Sequence, residues 1–295
     1  FGFSQQTEYV DFKTVRADIV FGDLVKKEIK GFASYEFKIL KDIDSVFIDA
    51  EGFDSIKYKL NEKFEDSLYN GNQLIIKHPF KVNTTHKLDI VWKTSPKKAM
   101  YFIDWKNESG DLENLNHQKG QVWTQGQGKY TSNWLPSIDD MNDKMEFDLS
   151  ITFDSNYQVI ANGKLTNQQI NKSTTTWHYD MQKPMSSYLV ALVIGKYNKK
   201  VEYSKSGIPL EMYYYPEDSL KFEPTYRYTK QMFDFLEEEI GVPYPWQNYK
   251  QVPVKDFLYA GMENTGTTIF ADSFVVDSIG FVDKNYVNVN AHELA

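Results

Sequence analysis

Apolar and polar residues alternate over much of the first two thirds of the chain, and this pattern predicts β-strands. The clearest case is 148–153 (Asp-Leu-Ser-Ile-Thr-Phe), where every second side chain is apolar. The turn-forming residues 154–156 separate this stretch from a second one at 157–161. Further strand-like segments are 73–77, 87–93 and 174–179. Short strands at this spacing, with little helical periodicity, predict an antiparallel sandwich or saddle.

The pattern becomes helical after residue 198. Pro224 suits the first turn of a helix, and Gly241, followed closely by two prolines, is a typical helix end. The residues at helical spacing between them are Thr229, Met232, Phe233, Leu236 and Ile240. A strand at 251–254 and the opening of a helix at 285–295 follow. We therefore predict two domains, a β domain over 1–198 and a second domain over 199–295 that is only begun.

Composition excludes several classes of function. The chain of 295 residues carries 33 Lys and Arg against 41 Asp and Glu, a formal net charge of −8. Because the basic residues are scattered, nucleic acid is not expected as a partner. The absence of cysteine excludes disulfides, thiolate zinc sites and cysteine nucleophiles, so any metal must be held by His and carboxylate side chains. The longest apolar run, 188–195, is far below the ~20 residues that span a bilayer.

The two ends of the chain suggest its context. Residues 1–6 (Phe-Gly-Phe-Ser-Gln-Gln) resemble the last part of a secretory signal, although an ordinary N-terminal strand is an equal alternative. A periplasmic or secreted location is therefore expected, with the cytoplasm as the alternative. The chain ends in Ala291-His-Glu-Leu-Ala295 without a helix stop signal, so we expect a piece of a longer polypeptide.

The first candidate for chemistry is the pair His292-Glu293 near the end of the chain. In a zinc peptidase helix of the form His-Glu-x-x-His, two imidazoles at i and i+4 grip one ion and the intervening Glu polarises its water. Only the first part of that pattern is present. Taken alone, the pair is more typical of an exposed helix that happens to carry both residues.

The second candidate is Gly261-Met262-Glu263-Asn264, preceded by Ala260. A glycine in a tight loop lets backbone groups approach a ligand closely, and the Glu263 carboxylate could hold a substrate ammonium group. The alternative is a polar turn that ends a strand.

The third candidate is the pair Gln125 and Gln127, whose amides point the same way if the segment is extended. The alternative is an ordinary polar strand end.

Taken together and in this order, the motifs resemble those of the zinc aminopeptidases of the aminopeptidase N and leukotriene hydrolase type, which are gluzincin metallopeptidases. The resemblance covers essentially the whole chain. It rests on residues 125–127, 134–136, 139–140, 187–195, 241–245, 261–264 and 291–295. It implies a mainly β N-terminal domain, an antiparallel saddle-like sandwich, followed by the start of an α+β thermolysin-like catalytic domain.

The resemblance also implies roles for individual residues. His292 would be the first ligand of a single zinc ion, and Glu293 the general base for a metal-activated water. Glu263 would bind the free α-amine of the substrate, which restricts cleavage to the N-terminal residue. Gly261 would contact the scissile peptide and Met262 would line the pocket for the first side chain.

The remaining positions complete the implied substrate site. Gln127, together with Gln125, would touch the substrate from the N-terminal domain. Residues 261–264 resemble the family's exopeptidase motif, which Asn264 ends, and Ala260 stands where that motif usually opens with glycine. Its extra methyl group leaves the side-chain preference open.

The resemblance thus implies a zinc-dependent aminopeptidase that acts on peptides with a free N-terminus. Because the second His, the distal Glu ligand and the transition-state Tyr would follow Ala295, this chain alone is predicted to bind no zinc and to be inactive. Two alternatives stay open at this point. One is a scaffold relative without peptidase activity, and the other is a β-sandwich module that binds proteins or glycans.

Overall fold

The computed structural model describes residues 6–105 and 120–295. Most of the signal-like segment, residues 1–5, lies outside the described residues. Two compact units are present, and they interleave along the chain. The first unit comprises Phe1–Phe102, Thr124–Ser155 and Leu165–Val190. The second unit comprises Ile103–Trp123, Asn156–Lys164 and Ala191–Ala295. The domain boundary at residue 198 stays a prediction.

Strands dominate the described residues. The first ten are β1 (Val10–Phe21), β2 (Ile29–Ile39), β3 (Ile43–Asp49), β4 (Ser55–Leu60), β5 (Lys63–Phe64), β6 (Leu68–Tyr69), β7 (Gln73–Phe80), β8 (Thr85–Thr94), β9 (Met100–Ile103) and β10 (Gln121–Thr124). The others are β11 (Lys144–Asp154), β12 (Gln158–Ala161), β13 (Lys164–Asn171), β14 (Thr174–Asp180), β15 (Met185–Ser186), β16 (Leu192–Gly195), β17 (Asn198–Tyr203), β18 (Pro209–Tyr214), β19 (Tyr249–Val254), β20 (Gly261–Met262) and β21 (Thr267–Ala271).

Three α-helices, all in the second unit, complete the described elements: α1 (Phe222–Tyr226), α2 (Thr229–Ile240) and α3 (Val287–Leu294). Short 3-10 turns lie at Gln6–Glu8, Thr131–Asn133, Ser187–Leu189, Pro216–Lys221, Asp272–Phe274 and Gly280–Val282. Among the helices of residues 6–105 and 120–295, none has the length and apolar character that a bilayer crossing requires.

The first unit consists of two sheets in contact. The larger has the strand order β13-β14-β11-β1-β2-β8-β4-β5, with β15 added to β11, and the smaller has the order β3-β7-β6. Buried and accessible side chains alternate along β11, which contains the predicted strand 148–153. Phe37 on β2 and Phe80 on β7 join the sheets, with ring centroids 5.9 Å apart. The predicted mainly β fold is confirmed, and one pairing, β1 with β11, is parallel.

Gly31 on β2 shows how tightly this unit is packed. It pairs with Trp92 on β8, and the indole covers the position where a side chain would begin. A Cβ atom at residue 31 would lie 2.2 Å from the nearest ring carbon of Trp92. Because the indole is 2% exposed, it has no open space into which it could retreat.

We therefore expect Gly31→Ala to lower the free energy of unfolding by about 1–3 kcal/mol, the usual cost of overpacking. Thermal or denaturant unfolding measures this loss. Gly22→Ala is the matched control, since its Cβ would meet only the carboxylate end of Glu28, at 2.8 Å, which can move. Equal losses in the two variants would contradict this account.

The second unit contains two sheets. The smaller includes β12, β16 and β10 in antiparallel pairs. The larger is a mixed sheet with helices packed against it. The order is β17-β18-β19-β21-β20, in which β18, β19 and β21 are parallel neighbours and the edge strands are antiparallel. Helix α1 and the start of α3 pack on this sheet through a cluster of Met212, Phe222, Tyr226, Phe270 and Tyr286. Helix α2 packs on it through Phe233, which contacts Leu210 and Tyr249. The predicted segments 251–254 and 285–295 fall in β19 and α3, and the α+β class is confirmed.

The end of α2 follows the sequence signal. Gly241 adopts a left-handed conformation, φ 70°, and its N–H donates to the carbonyl of Glu237 at 3.1 Å. A non-glycine residue pays a steric cost in this conformation, which is why glycine ends so many helices. The helical region from Pro224 onward is divided into two helices, α1 and α2, because residues 227 and 228 fall between them.

Lys250 on β19 is a buried cation in this unit. Its side chain is 1% exposed, and its Nζ donates to the carbonyl of Ala161 at 2.9 Å and to that of Gly163. Burial lowers the pKa of Lys250 to about 8, against the opposing effect of the nearby Glu211 carboxylate. In the unfolded chain Lys250 has its ordinary, higher pKa and keeps this proton to higher pH. The free energy of unfolding therefore rises as the pH increases from 8 towards 10, because the folded protein no longer has to bury a charged ammonium group.

Relative to Lys250→Met, we expect the unfolding free energy of the wild-type protein to rise by about 2 kcal/mol between pH 8 and pH 10. Denaturant unfolding at a series of pH values measures the difference. Lys200→Met, which removes an exposed lysine from β17, is the control and should leave the wild-type slope unchanged. Parallel pH curves for wild type and Lys250→Met would show the account to be wrong.

Candidate active site

The exopeptidase-like motif forms the edge of the second unit's sheet. Gly261 and Met262 form β20 and pair antiparallel with Phe270 and Ile269 of β21. Met262 points into the core at 1% exposure, whereas Glu263, one residue on, is exposed. This alternation is what an edge strand imposes on successive side chains. The motif therefore presents the Glu263 carboxylate to solvent.

Helix α3 meets this edge strand at Gly261. A Cβ atom on Gly261 would lie 2.5 Å from Oε1 of Glu293 and 2.6 Å from its Cγ. The Glu293 carboxylate is thus packed directly against the Gly261 backbone. A side chain at residue 261 would have to displace the Glu293 carboxylate from this position, because its first carbon atom would lie where the carboxylate lies.

The pKa of Glu293 depends on burial and on two charged neighbours, one in the motif and one on the helix. Burial is the main cause that raises the pKa of Glu293 to about 6, and the negative charge of Glu263 raises it further. The neighbouring His292 acts in the opposite direction. His292 itself is exposed, while Glu293 is half-buried. A carboxyl group with a pKa near neutrality is suited to taking up and releasing protons.

A zinc site would need more ligands than these residues provide. Across residues 6–105 and 120–295 there is no group of three or more His, Asp or Glu side chains arranged to hold a metal ion. His292 is the one nitrogen ligand at this site among the described residues. Protein zinc sites use three or four protein ligands, so the described residues do not by themselves fit a zinc ion.

Ala260 and Asn264, at the two ends of the motif, differ in their surroundings. Asn264 is 2% exposed, and within the described chain neither Oδ1 nor Nδ2 of its amide has a hydrogen-bond partner. Its backbone carbonyl accepts from the N–H of Thr267 at 2.8 Å, which closes the turn into β21. Ala260 is exposed, and its carbonyl accepts from the N–H of Ala271 at 3.0 Å. Both residues therefore hold the motif in place through their backbones.

Gln125 and Gln127 belong to the first unit. Gln125 is 5% exposed, and its Oε1 accepts from the backbone N–H of Gln127 at 3.3 Å. Gly126 between them lies against the Tyr188 backbone, and a Cβ there would be 2.7 Å from that carbonyl oxygen. The segment is thus a tight loop rather than an open strand. Its contact with a substrate stays a prediction.

Sequence reasoning missed Asn162, which supports the motif from behind. Its Nδ2 donates to the carbonyl of Thr265 at 2.8 Å, and its Oδ1 accepts from the N–H of Ala191 at 2.6 Å. Asn162 is 2% exposed and fixes the turn that follows Asn264. In the sequence it stands before Gly163, and such a pair is more typical of an exposed turn.

Comparison with protein families agrees with this geometry. Residues 8–189 match the family described as Peptidase M1 N-terminal domain, and residues 225–295 match the one described as Peptidase family M1 domain. The chain belongs to peptidase family M1. The resemblance drawn from its motifs is thereby confirmed.

Curated M1 relatives include human glutamyl aminopeptidase, 26% identical over 66% of this chain and 22% of that protein. Aminopeptidase N of Streptomyces lividans is 29% identical over 46% of this chain and 16% of that protein. Leucyl aminopeptidase of Saccharolobus solfataricus is 22% identical over 91% of this chain and 33% of that protein. The chain therefore spans a third or less of these relatives.

A solved structure shares the fold. The M1 zinc metallopeptidase from Deinococcus radiodurans superimposes with a TM-score of 0.77 at 16% identity, over 98% of this chain and 63% of that one. At this identity the likeness shows the M1 fold and nothing finer.

The contact between Gly261 and Glu293 makes a direct prediction. In metal-free protein, Gly261→Ala should push the Glu293 carboxylate into solvent and lower its pKa from about 6 towards the ordinary Glu value. Titration of the side-chain carboxyl followed by carbon NMR measures this shift.

Gly280→Ala is the control for this experiment, because its Cβ would meet its nearest neighbours at 3.5 Å, an ordinary contact distance. It should leave the titration of Glu293 unchanged. An unaltered Glu293 titration in Gly261→Ala would be inconsistent with the packing described here.

Proposed function

We propose that the full-length protein is a zinc-dependent aminopeptidase that removes the N-terminal residue from peptides. The observation that carries this proposal is the packing of Glu293 on Gly261, which joins the motif strand to the His292-Glu293 helix. Membership of family M1 and the aminopeptidase names of the relatives support it.

Glu263 is proposed to anchor the substrate. Its exposed carboxylate is accessible to a free α-ammonium group, and a charge-assisted hydrogen bond would fix the first residue of a peptide. With the N-terminus held, the first peptide bond is the one positioned for reaction. Gly261 would add backbone contacts, and the buried Met262, with Ala260 and Asn264 at either side, would shape the adjoining surface.

Glu293 is proposed as the general base and His292 as one zinc ligand. Zinc can lower the pKa of a coordinated water molecule to about 7. We propose that the other ligands follow Ala295 in the full-length protein, because the chain spans 63% of the Deinococcus metallopeptidase. The 295-residue chain alone is accordingly proposed to be inactive. Gln125 and Gln127 are proposed to contact the substrate from the N-terminal domain.

An exported location, periplasmic or secreted, is part of this proposal. Its support is the signal-like sequence of residues 1–6.

Steady-state assays on the full-length protein test the function. We expect release of amino acid from aminoacyl anilides and free peptides, loss of this release with a chelator, and no cleavage of N-acetylated peptides. Glu293→Gln should lower kcat about 10²–10⁴-fold because the general base is lost. Glu263→Gln should lower kcat/KM about 10–100-fold, the usual worth of a hydrogen bond to a charged group.

Glu239→Gln is the matched control, since it neutralises an exposed carboxylate on α2 and should leave both constants unchanged. A folded, zinc-loaded protein without hydrolysis would favour a scaffold role instead. Equal cleavage of free and acetylated peptides would reject the role of Glu263.

A further inference from the structure

Three buried polar side chains of the second unit form a closed ring of hydrogen bonds behind helix α3. Thr229 Oγ1 donates to Gln251 Oε1 at 2.9 Å, Gln251 Nε2 donates to Asn290 Oδ1, and Asn290 Nδ2 donates back to Thr229 Oγ1 at 2.9 Å. None of the three residues is more than 2% exposed. Groups this deeply buried are costly unless each finds a partner.

The ring is consistent in direction. Each of the three residues donates one bond to the next and accepts one from the previous, so rotating either amide by 180° would set donor against donor or acceptor against acceptor. The second hydrogen of Gln251 Nε2 is directed to the hydroxyl of Tyr286 at 3.3 Å. The three bonds therefore require the two amides to be oriented together, and neither can turn without the other.

The ring joins three different elements. Thr229 is the first residue of α2, Gln251 lies on β19, and Asn290 lies on α3. Asn290 is two positions before His292 and three before Glu293. At 100° per residue, a rotation of α3 about its axis that moved these two side chains would also move Asn290 out of the ring.

Hydrogen bonds restrict a helix more than apolar packing does. Apolar packing at the start of α3 comes from Tyr286, the residue before the helix, which stacks on Phe270 at a centroid distance of 3.9 Å. Hydrophobic contacts of this kind are non-directional and tolerate small shifts, whereas hydrogen bonds weaken steeply as their angles change. Apolar packing keeps α3 against the sheet. The ring in addition restricts the rotation of α3 about its axis and its position along that axis.

We infer that Thr229, Gln251 and Asn290 are positioning residues that fix the rotation of α3 and thereby the placement of Glu293 and His292. This inference rests on the proposed function for its catalytic consequence. Misplacement of a reacting group by about 1 Å can cost about 10²-fold in rate, so the ring should act on kcat.

Thr229→Val in the full-length protein is the main test, because valine has the same shape but neither donates nor accepts. We expect kcat to fall 10-fold or more with KM within twofold of wild type. Thr229→Ser retains the hydroxyl and should restore kcat to within twofold of wild type.

Thr225→Val is the matched control. Thr225 is equally buried at 3% exposure, but its hydroxyl donates to the Lys221 carbonyl at 2.8 Å. This variant should leave kcat unchanged.

Amide hydrogen exchange over 287–294 supplies a readout that needs neither zinc nor activity. We expect exchange to be at least tenfold faster in Thr229→Val than in wild type, with Thr225→Val unchanged. Gln251→Met, which keeps the length of the side chain but loses its donors and its acceptor, should behave like Thr229→Val and replaces it if the valine variant does not fold.

Equal exchange and equal kcat in Thr229→Val and Thr225→Val would overturn the inference. A rise in KM with kcat unchanged would also overturn it, because positioning of the base acts on the chemical step. An inactive wild-type protein would reject the proposed function instead, and the exchange data alone would then decide whether the ring anchors α3.

Discussion

The contact between Glu293 and Gly261 is the constraint on which the candidate site depends. A half-buried carboxylate lies against a backbone that has no side chain, so α3 and β20 approach each other closely at this point. Glu293 also has a raised pKa. Burial of its carboxyl group is the main cause, and the negative charge of the nearby Glu263 raises the pKa further. The position of Glu293 between α3 and β20 therefore accounts both for its contact with Gly261 and for its raised pKa.

The rest of the second unit supports this contact from the buried side. Asn162 fixes the turn after the motif, and the ring of Thr229, Gln251 and Asn290 fixes the helix. These groups are polar in a region where apolar residues would pack at lower cost. Hydrogen bonds are directional, so these side chains hold the helix and the turn in one relative position. The close packing of the Glu293 carboxylate on the Gly261 backbone needs such a defined position. Lys250 donates to the carbonyls of Ala161 and Gly163, the residues on either side of Asn162.

The first unit shows how far periodicity can be trusted. Period-two alternation predicted the strands at 73–77, 87–93, 148–153 and 174–179, because one face of each strand is buried and the other is accessible. Alternation contains no information about the neighbour of each strand, so it could not show that β1 and β11 pair in parallel. It also could not show that Gly31 is covered by Trp92, since this depends on cross-strand register.

The sequence by itself determined the class of fold, the family and the residues of the motifs, because local signals such as Gly241 after a helix and the pair His292-Glu293 are read directly from neighbouring residues. Only the tertiary structure decided that Gly261 accommodates Glu293, and that Thr229, Gln251 and Asn290 meet in a ring. Polar residues far apart along a chain look like ordinary surface positions until folding removes them from water. Their partners are chosen by packing between elements, which no local pattern records.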